Sequence, residues 1–348
     1  MKKLTVNVAG GYDILIEEGL LPSCGAHIKA VSGAKKVMII TDSNVAPLYL
    51  EQVKSALGEA GFAVFDHIFQ AGESSKTIDS VYNMVLAMAD AALTRKDLVV
   101  ALGGGVCGDM AGFAASVYLR GIDYVQIPTT LLSQIDSSVG GKTGIDLPHG
   151  KNLCGAFHQP VLVLIDPMVL DTLPAHFFAD GMAEAIKYGC IKSKTLFERL
   201  EKQDAKSFIE DLIYDCVDIK RGVVERDEKE QGERALLNFG HTIGHAIEKH
   251  YHFERYSHGE AVGIGMVMIT RISERLGLTP SGTADRICGL LKKYALPVSD
   301  SIGSEDVLSA MSLDKKRTGS GINFIMLGAI GDSFIRPVAT RDLRSLFE

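Results

Sequence analysis

The chain has 348 residues, 46% of them hydrophobic, and a formal net charge of -7. This length and apolar content support a large buried core and suggest two domains more readily than one. An acidic balance argues against nucleic acid and anionic membrane surfaces as partners, so any anion-binding patch must be local.

The N-terminus, Met-Lys-Lys-Leu-Thr-Val-Asn-Val, enters alternating strand-like residues directly, and no apolar run reaches membrane-spanning length, so the cytoplasm is the expected compartment. Short Val/Ile-rich runs at 36–41, 98–102 and 161–166 then alternate with helical stretches such as 76–92, a pattern of parallel α/β structure up to about residue 170. Beyond Leu173-Pro174 the apolar spacing becomes three and four, which predicts helices over roughly 180–192, 205–228, 234–250, 258–276 and 282–294. One hairpin-like segment, 322–328 with 333–335, interrupts this helical half. No internal repeat, low-complexity tract or long linker separates the halves. The expectation is an α/β domain over 1–173 and a mainly α-helical domain over 174–348, with ligand in the cleft between them. Six cysteines (Cys24, Cys107, Cys154, Cys190, Cys216, Cys288) form no CxxC pair and fit reduced, mostly buried thiols.

Four stretches carry chemistry. Gly103-Gly-Gly105-Val-Cys-Gly108-Asp109 follows a buried-strand run and opens a helix, an arrangement that lets backbone N–H groups and the helix dipole meet a phosphate. It is not GxGxxG, and Asp42, the acid that could hold ribose hydroxyls, precedes the glycines where an ordinary fingerprint places it about twenty residues after them. Asp42 equally suits a helix N-cap before Val45. The segment Ile127-Pro-Thr-Thr130-Leu-Leu-Ser-Gln-Ile-Asp136-Ser-Ser-Val-Gly-Gly-Lys142-Thr-Gly, with Lys151 and Asn152 soon after, has the density of hydroxyls, cations and glycines expected of a loop around a phosphorylated, hydroxylated ligand. Glu184 and Lys187 are three apart in an otherwise apolar helix, either an exposed ion pair or a buried functional carboxylate. His241 and His245, four apart, share a helix face, and His258 can return from the next helix. An isolated His-x3-His pair more often marks core histidines; the surrounding motifs favour a metal site here.

Taken together, Gly103-Gly-Gly-Val-x-Gly-Asp109, Ile-Pro-Thr-Thr-Leu-Leu, Asp136-Ser-Ser-Val-Gly-Gly-Lys-Thr, Gly150-Lys-Asn-Leu-x-Gly-Ala-Phe-His-Gln-Pro160, Gly-Met-Ala-Glu184-Ala-Ile-Lys187 and Leu-Asn-Phe-Gly-His241-Thr-Ile-Gly-His245 resemble the 3-dehydroquinate synthases, in family order and over nearly the whole chain. The resemblance implies an N-terminal Rossmann-like NAD-binding domain and an all-α metal- and substrate-binding domain. It implies metal ligands Glu184, His241 and His258, a common catalytic zinc set with open positions, for which Zn2+ is favoured and Co2+ is compatible. NAD contacts would be Asp42, Glu73, Lys76, Gly104, Gly105, Val106, Asp109, Thr129, Thr130, Lys142, Lys151 and Thr172. Substrate contacts would be Asp136, Lys142, Lys151, Asn152, Lys187, Lys220, Arg234, Asn238, His245 and Lys315 or Lys316. So many cations suit a ligand carrying both carboxylate and phosphate.

The implied reaction is a cyclising phosphate elimination from 3-deoxy-D-arabino-heptulosonate 7-phosphate to 3-dehydroquinate, in the shikimate pathway. NAD would be regenerated within each turnover, and the substrate's own phosphate oxygen would take a proton. A homodimer is also implied, with Arg120 of Tyr118-Leu-Arg120-Gly121 reaching the neighbouring site; a surface arginine at a helix C-terminus explains the same residue locally.

Three departures stand out: His176-Phe177 replaces the usual Arg-Glu pair, Asp146-Leu-Pro-His149-Gly shuffles a Pro-Leu-Gly pattern, and Cys154 replaces an aliphatic residue. Glycerol-dehydrogenase-type alcohol dehydrogenases share the layout but have no need of Lys142, Lys151, Lys187 and Arg234. Cyclases acting on sedoheptulose 7-phosphate or glucose 6-phosphate are nearer rivals, and Gly-Ala-Phe-His-Gln-Pro160 with Asn238 and His245 leans against them.

Overall fold

The computed structural model describes residues 1–315 and 321–347, with backbone alone for 304 and 312–315. Two compact units divide the chain: Met1–Pro174 with Lys220–Glu225, and Ala175–Ile219 with Arg226–Glu348.

The first unit is built on a seven-stranded sheet. Its strands are β1 (Lys2–Val6), β2 (Tyr12–Ile16), β3 (Lys36–Asp42), β4 (Ala63–Phe69), β5 (Leu98–Gly103), β6 (Asp123–Pro128) and β9 (Leu162–Ile165), in the order β1-β2-β9-β6-β5-β3-β4. Every pairing is parallel except that of β1 with β2. The central strands read as unbroken apolar runs because both faces are covered. On β3 and β5, Val37, Ile39, Leu98, Val100 and Leu102 enter one core with helices α1 (Cys24–Val31) and α2 (Glu51–Glu59). Their alternates Met38, Ile40, Val99 and Ala101 enter a second core with α3 (Ile78–Asp90) and α4 (Gly105–Val117). This is the period-two alternation of a strand applied to a sheet buried twice.

The chain passes from β3 out to β4 and returns to β5 on the other side of β3, so the order reverses between β3 and β5. The carboxyl ends there carry Asp42 and the 103–105 glycines, the place where open α/β sheets take their ligands.

The 127–144 stretch is not one loop. Its second half forms β7 (Lys142–Leu147), paired antiparallel with β8 (Gly150–Phe157), so Lys142, Lys151 and Asn152 sit on a hairpin. The pairing is close because glycines face each other: a Cβ on Gly155 would lie 2.0 Å from the Thr143 carbonyl oxygen. The helix ahead of Arg120 also ends earlier than expected, at Val117; Leu119 (φ 51°) and Arg120 (φ 71°) follow in left-handed conformation.

The second unit is mainly helical: α5 (Ala175–Lys192), α6 (Lys194–Lys202), most of α7 (Ile209–Arg226), α8 (His241–His250), α9 (His258–Arg275), α10 (Thr283–Lys293), α11 (Ser304–Lys315) and α12 (Leu343–Phe347). The expected hairpin is present as β10 (Gly321–Ala329) and β11 (Asp332–Ala339), so the unit is not all-α. The single helix expected over 234–250 is split. Gly240 adopts φ 81°, which separates a 3-10 turn (Glu233–Asn238) from α8 and makes His241 the first residue of a helix. Helix α9 is buried along almost its whole length, with α5, α8 and α10 packed around it. Glycines set the α8 to α9 distance: a Cβ on Gly265 would lie 2.1 Å from the Gly240 carbonyl oxygen, and one on Gly244 would lie 3.1 Å from Ala261. No helix among the described residues is long and apolar enough to cross a membrane.

Candidate functional site

In the second unit, α5 supplies Glu184 and Lys187 from an apolar stretch. Glu184 is 0% exposed and Lys187 1%, and the ammonium is paired with Glu184 Oε2, so the pair is not an exposed one. The first residue of α8 places His241 Nε2 3.5 Å from Glu184 Oε1, and the first residue of α9 places His258 Nε2 3.9 Å from the same oxygen. One donor atom from each of the three lies within 4.8 Å of the others. The remaining nitrogens face oxygens: His241 Nδ1 is 3.2 Å from the Phe239 carbonyl, and His258 Nδ1 is 3.5 Å from Glu248 Oε1.

The register of α9 is fixed by a capping box. Ser257 Oγ accepts from the Glu260 N–H while Glu260 accepts from the Ser257 N–H, and the Ser257 hydroxyl also donates to the buried Asp180 carboxylate.

Both Glu184 oxygens are buried and accept no hydrogen bond. A carboxylate out of water needs compensating charge, which here comes from the Lys187 ammonium paired with Oε2, while the two imidazoles are turned toward Oε1. Burial, reinforced by the positive charge of Lys187, holds His241 well below the usual histidine range, so the ring stays neutral and its Nε2 lone pair is available. For His258, burial pulls the same way, but Glu248 and Glu184 outweigh it and hold the ring above its ordinary value. One carboxylate, its Oε1 buried without a hydrogen bond, and two imidazoles turned toward that oxygen fit a divalent cation of the zinc type.

Around this cluster, His245 is exposed one turn along α8, its ring 5.5 Å from that of His241 and 5.9 Å from that of His258. Arg234, a large side chain only 2% exposed, donates to the Glu228 carbonyl at 2.5 Å, and Asn238 donates to Glu230 at 3.0 Å. Lys315 ends α11, but its side chain and all of Lys316 lie outside the described residues.

In the first unit, the Asp42 carboxylate caps the turn after β3, in line with the capping reading of it. Its Oδ1 accepts the N–H groups of Asn44 (2.8 Å) and Val45 (3.0 Å), while Oδ2 lies 3.4 Å from where a Cβ on Gly103 would be. A Cβ on Gly104 would come within 3.0 Å of Thr130, and one on Gly105 within 3.2 Å of the Ser137 hydroxyl. Val106 lies in the first turn of α4, half-buried. The Thr129 hydroxyl is buried without a hydrogen-bond partner among the described residues. Glycines that leave a cradle at a helix N-terminus, an acid at its mouth and an orphaned hydroxyl fit a dinucleotide.

Beside this turn, Lys76, 4% exposed, donates to Asp109 at 2.7 Å and to Asn152 at 2.6 Å. Asn152 takes φ 55° to do so, and its N–H is held by Asp146 at 2.7 Å. Burial pushes the Asp109 carboxyl up, against the opposing pull of Lys76 and Lys220. Burial alone would lower Lys76, but Asp109 and then Glu73, on the turn just before it, hold it above its ordinary value. Lys220 donates to the Asp136 carboxylate at 2.6 Å and to its carbonyl at 2.7 Å.

Lys151 lies close to Glu73, whose carboxyl is pushed up by burial against the opposing pull of Lys76 and then Lys151. The Thr172 hydroxyl pairs with Tyr49, Lys142 is exposed and Lys151 half-buried on the hairpin, and Arg120 is exposed on its left-handed turn. His176 and Phe177, which replace an Arg-Glu pair, stack on each other with ring centroids 4.0 Å apart. Sequence reasoning missed two residues. Glu248 completes His241-x3-His245-x2-Glu248 on one helix face, and Asp180 lies one turn before Glu184 on α5; both signals are legible as helical spacing.

Comparison with known proteins gives the family. The family profile described as 3-dehydroquinate synthase N-terminal matches residues 66–180, and the one described as 3-dehydroquinate synthase C-terminal matches 181–317. The 3-dehydroquinate synthase of Clostridium botulinum is 49% identical, covering 97% of this chain and 98% of the relative. That of Clostridium perfringens is 52% identical, covering 96% and 97%. Among solved structures, 2-deoxy-scyllo-inosose synthase complexed with carbaglucose-6-phosphate, NAD+ and Co2+ superposes with a TM-score of 0.88 at 26% identity, covering 99% of both chains. The 2-epi-5-epi-valiolone synthase of Streptomyces hygroscopicus subsp. jinggangensis, with NAD+ and Zn2+ bound, gives 0.86 at 29% identity, covering 96% of this chain and 95% of that one. An iron-containing alcohol dehydrogenase at 17% identity (TM-score 0.65) shares the fold alone. The motifs run in order through both units, and close relatives align with them from end to end: the chain belongs to the 3-dehydroquinate synthase family.

Proposed function

We propose that this chain is a phosphate-eliminating, cyclising carbon–oxygen lyase, converting 3-deoxy-D-arabino-heptulosonate 7-phosphate into 3-dehydroquinate and phosphate in the shikimate pathway of aromatic amino acid biosynthesis. The observation that carries the chemistry is the buried Glu184 carboxylate, free of hydrogen bonds and faced by the Nε2 atoms of His241 and His258. The cofactors are NAD, at the 103–105 glycine turn, and one divalent metal, Zn2+ or Co2+, at Glu184, His241 and His258. When bound, the metal supplies Lewis acidity toward a substrate hydroxyl and NAD supplies reversible hydride acceptance.

The remaining roles belong to the chain's own side chains. Lys187 and Arg234, buried and already oriented, present fixed positive charge to carboxylate or phosphate oxygens. Asn238 and His245 orient substrate hydroxyls, and His245 relays a proton, a role that the exposure of its ring supports. In the first unit, Lys142, Lys151 and Lys220 add cations for an anionic sugar, Asp136 holds Lys220 in place, and Asn152 is oriented by Lys76. Lys315 or Lys316 completes the substrate set. Asp42, Glu73, Lys76, Gly104, Gly105, Val106, Asp109, Thr129, Thr130 and Thr172, with Lys142 and Lys151, are the NAD contacts.

With NAD in trace amounts, phosphate and 3-dehydroquinate should form far beyond the NAD supplied, with no steady rise in NADH. NADH appearing in proportion to product would make the chain a dehydrogenase and end the cyclase reading.

The working form is a homodimer whose active site receives Arg120 from the partner, a reading supported by the exposed left-handed turn that carries this arginine and by the family resemblance. An Arg120→Ala chain and a Lys187→Ala chain, each inactive alone, should then regain partial activity when co-assembled. Mixed dimers that form yet stay as inactive as their parents would place Arg120 in its own subunit.

A further inference from the structure

Glu248 is a carboxylate only 3% exposed, and none of the roles above uses it. On α8 it lies three residues past His245 and seven past His241, on the face that carries both rings. Its Oε1 is 3.5 Å from His258 Nδ1, and its Oε2 is 3.9 Å from His245 Nε2. The opposite nitrogen of His258, Nε2, is the one turned to Glu184 Oε1, at 3.9 Å. His241 repeats this layout, with Nδ1 3.2 Å from the Phe239 carbonyl and Nε2 3.5 Å from the same Glu184 oxygen. Two rings from two helices therefore present the same nitrogen to one carboxylate, and each has an oxygen behind it.

A neutral imidazole carries a single N–H, and the acceptor it meets decides which nitrogen keeps the proton. An oxygen behind Nδ1 holds the proton there and leaves the Nε2 lone pair free for a cation. A buried carboxylate does this more strongly than a carbonyl, because a charged acceptor forms the stronger hydrogen bond and little water competes for it.

We propose that Glu248 is a positioning residue of the metal centre: it fixes His258 as the Nδ1–H tautomer and aims Nε2 at the cation held with Glu184 and His241. The inference rests on the reading of those three residues as ligands. Glu248 also forms a second three-donor group with His245 and His258. A cation bound there would leave Glu184 Oε1, buried and without a hydrogen bond, as it is, so Glu248 belongs behind the ligand, not among the ligands.

The test uses the full-length protein stripped of metal, with Zn2+ affinity measured by competition against a chromophoric chelator. Glu248→Ala should weaken Zn2+ binding about 10- to 100-fold, the range found when a partner behind a ligating histidine is removed. Glu248→Gln, which keeps the side chain's shape and an oxygen that can still accept, should weaken it less and guards against simple loss of fold. Both variants should still take up one equivalent at saturation, whereas Glu184→Gln should not. In zinc-loaded protein labelled with 15N-histidine, the His258 Nδ1–H resonance should be protected from exchange in the parent chain and exposed in Glu248→Ala. Affinity within about twofold of the parent in Glu248→Ala, with binding lost in Glu184→Gln, would overturn the role of Glu248 and leave the centre standing. Loss of stoichiometric binding in Glu248→Gln would make Glu248 a ligand and likewise overturn it. Unchanged binding in Glu184→Gln would remove the centre itself, and the proposal with it.

Discussion

In the first unit the buried ammonium of Lys76 is closed on two acceptors, Asp109 at 2.7 Å and Asn152 at 2.6 Å. In the second unit the buried carboxylate of Glu184 accepts no hydrogen bond, although an ammonium and two imidazoles surround it. Both arrangements place charge where water is scarce, but they offset the desolvation differently. The first commits its donor to groups of the chain itself and so links the hairpin of β7 and β8 to α4. The second leaves acceptor capacity unfilled, which is costly for a folded chain unless something outside the chain completes it. The closed network ties chain to chain, and the open one is where we propose the cation binds.

The largest expected effect breaks the open centre. Glu184→Gln, His241→Ala and His258→Ala, like chelation of the parent chain, should each lose bound metal and lower turnover by more than about 100-fold, beyond the loss typical of a partner behind a ligand. Added Zn2+ should raise the thermal midpoint of the metal-free parent but not of Glu184→Gln, since only a state that binds the ion is stabilised by it. Full metal occupancy in all three variants would show that the unfilled oxygens of Glu184 are not a cation site.

A smaller effect, on stability, sharpens the other half of the comparison. Lys76→Ala strips Asp109 and Asn152 of their shared donor and should cost about 1–3 kcal/mol, read as a lower thermal midpoint of the metal-free protein. Its sign with pH follows from the raised Lys76 value. The stabilisation is complete below the ordinary lysine value of 10.5 and fades as pH rises through the higher folded value, so parent and variant should converge only in strong alkali. An unchanged midpoint at neutral pH would mean that the Lys76 network is as open as that of Glu184.

Where the signal is local, much of the fold and of the site is legible in the residues alone. The spacing of Glu184 and Lys187 predicts a shared face, and both are on α5. The glycine turn after a buried strand is expected at 103–105 and opens α4. The helix expected over 234–250 is too long because a smooth apolar pattern conceals a single left-handed glycine, Gly240, whose backbone turn restarts the helix at His241. The hairpin of β7 and β8 reads as a loop because its strands are rich in glycine and short on β-branched residues, so strand propensity is weak there and pairing decides.

By itself the sequence determined the order of elements, the two textures of the chain and the types of donor available, because these depend on residue spacing along one helix or strand. Only the tertiary structure decided that Lys220 reaches Asp136 across 84 positions, and that Lys76 reaches Asn152 across 76. It alone decided that His241 and His258, each at the first turn of a different helix, turn the same nitrogen to Glu184. The physical reason is close approach. Gly240, Gly244 and Gly265 remove the side chains that would hold α8 and α9 apart, and burial then leaves Glu184 Oε1 without a hydrogen bond between the two rings.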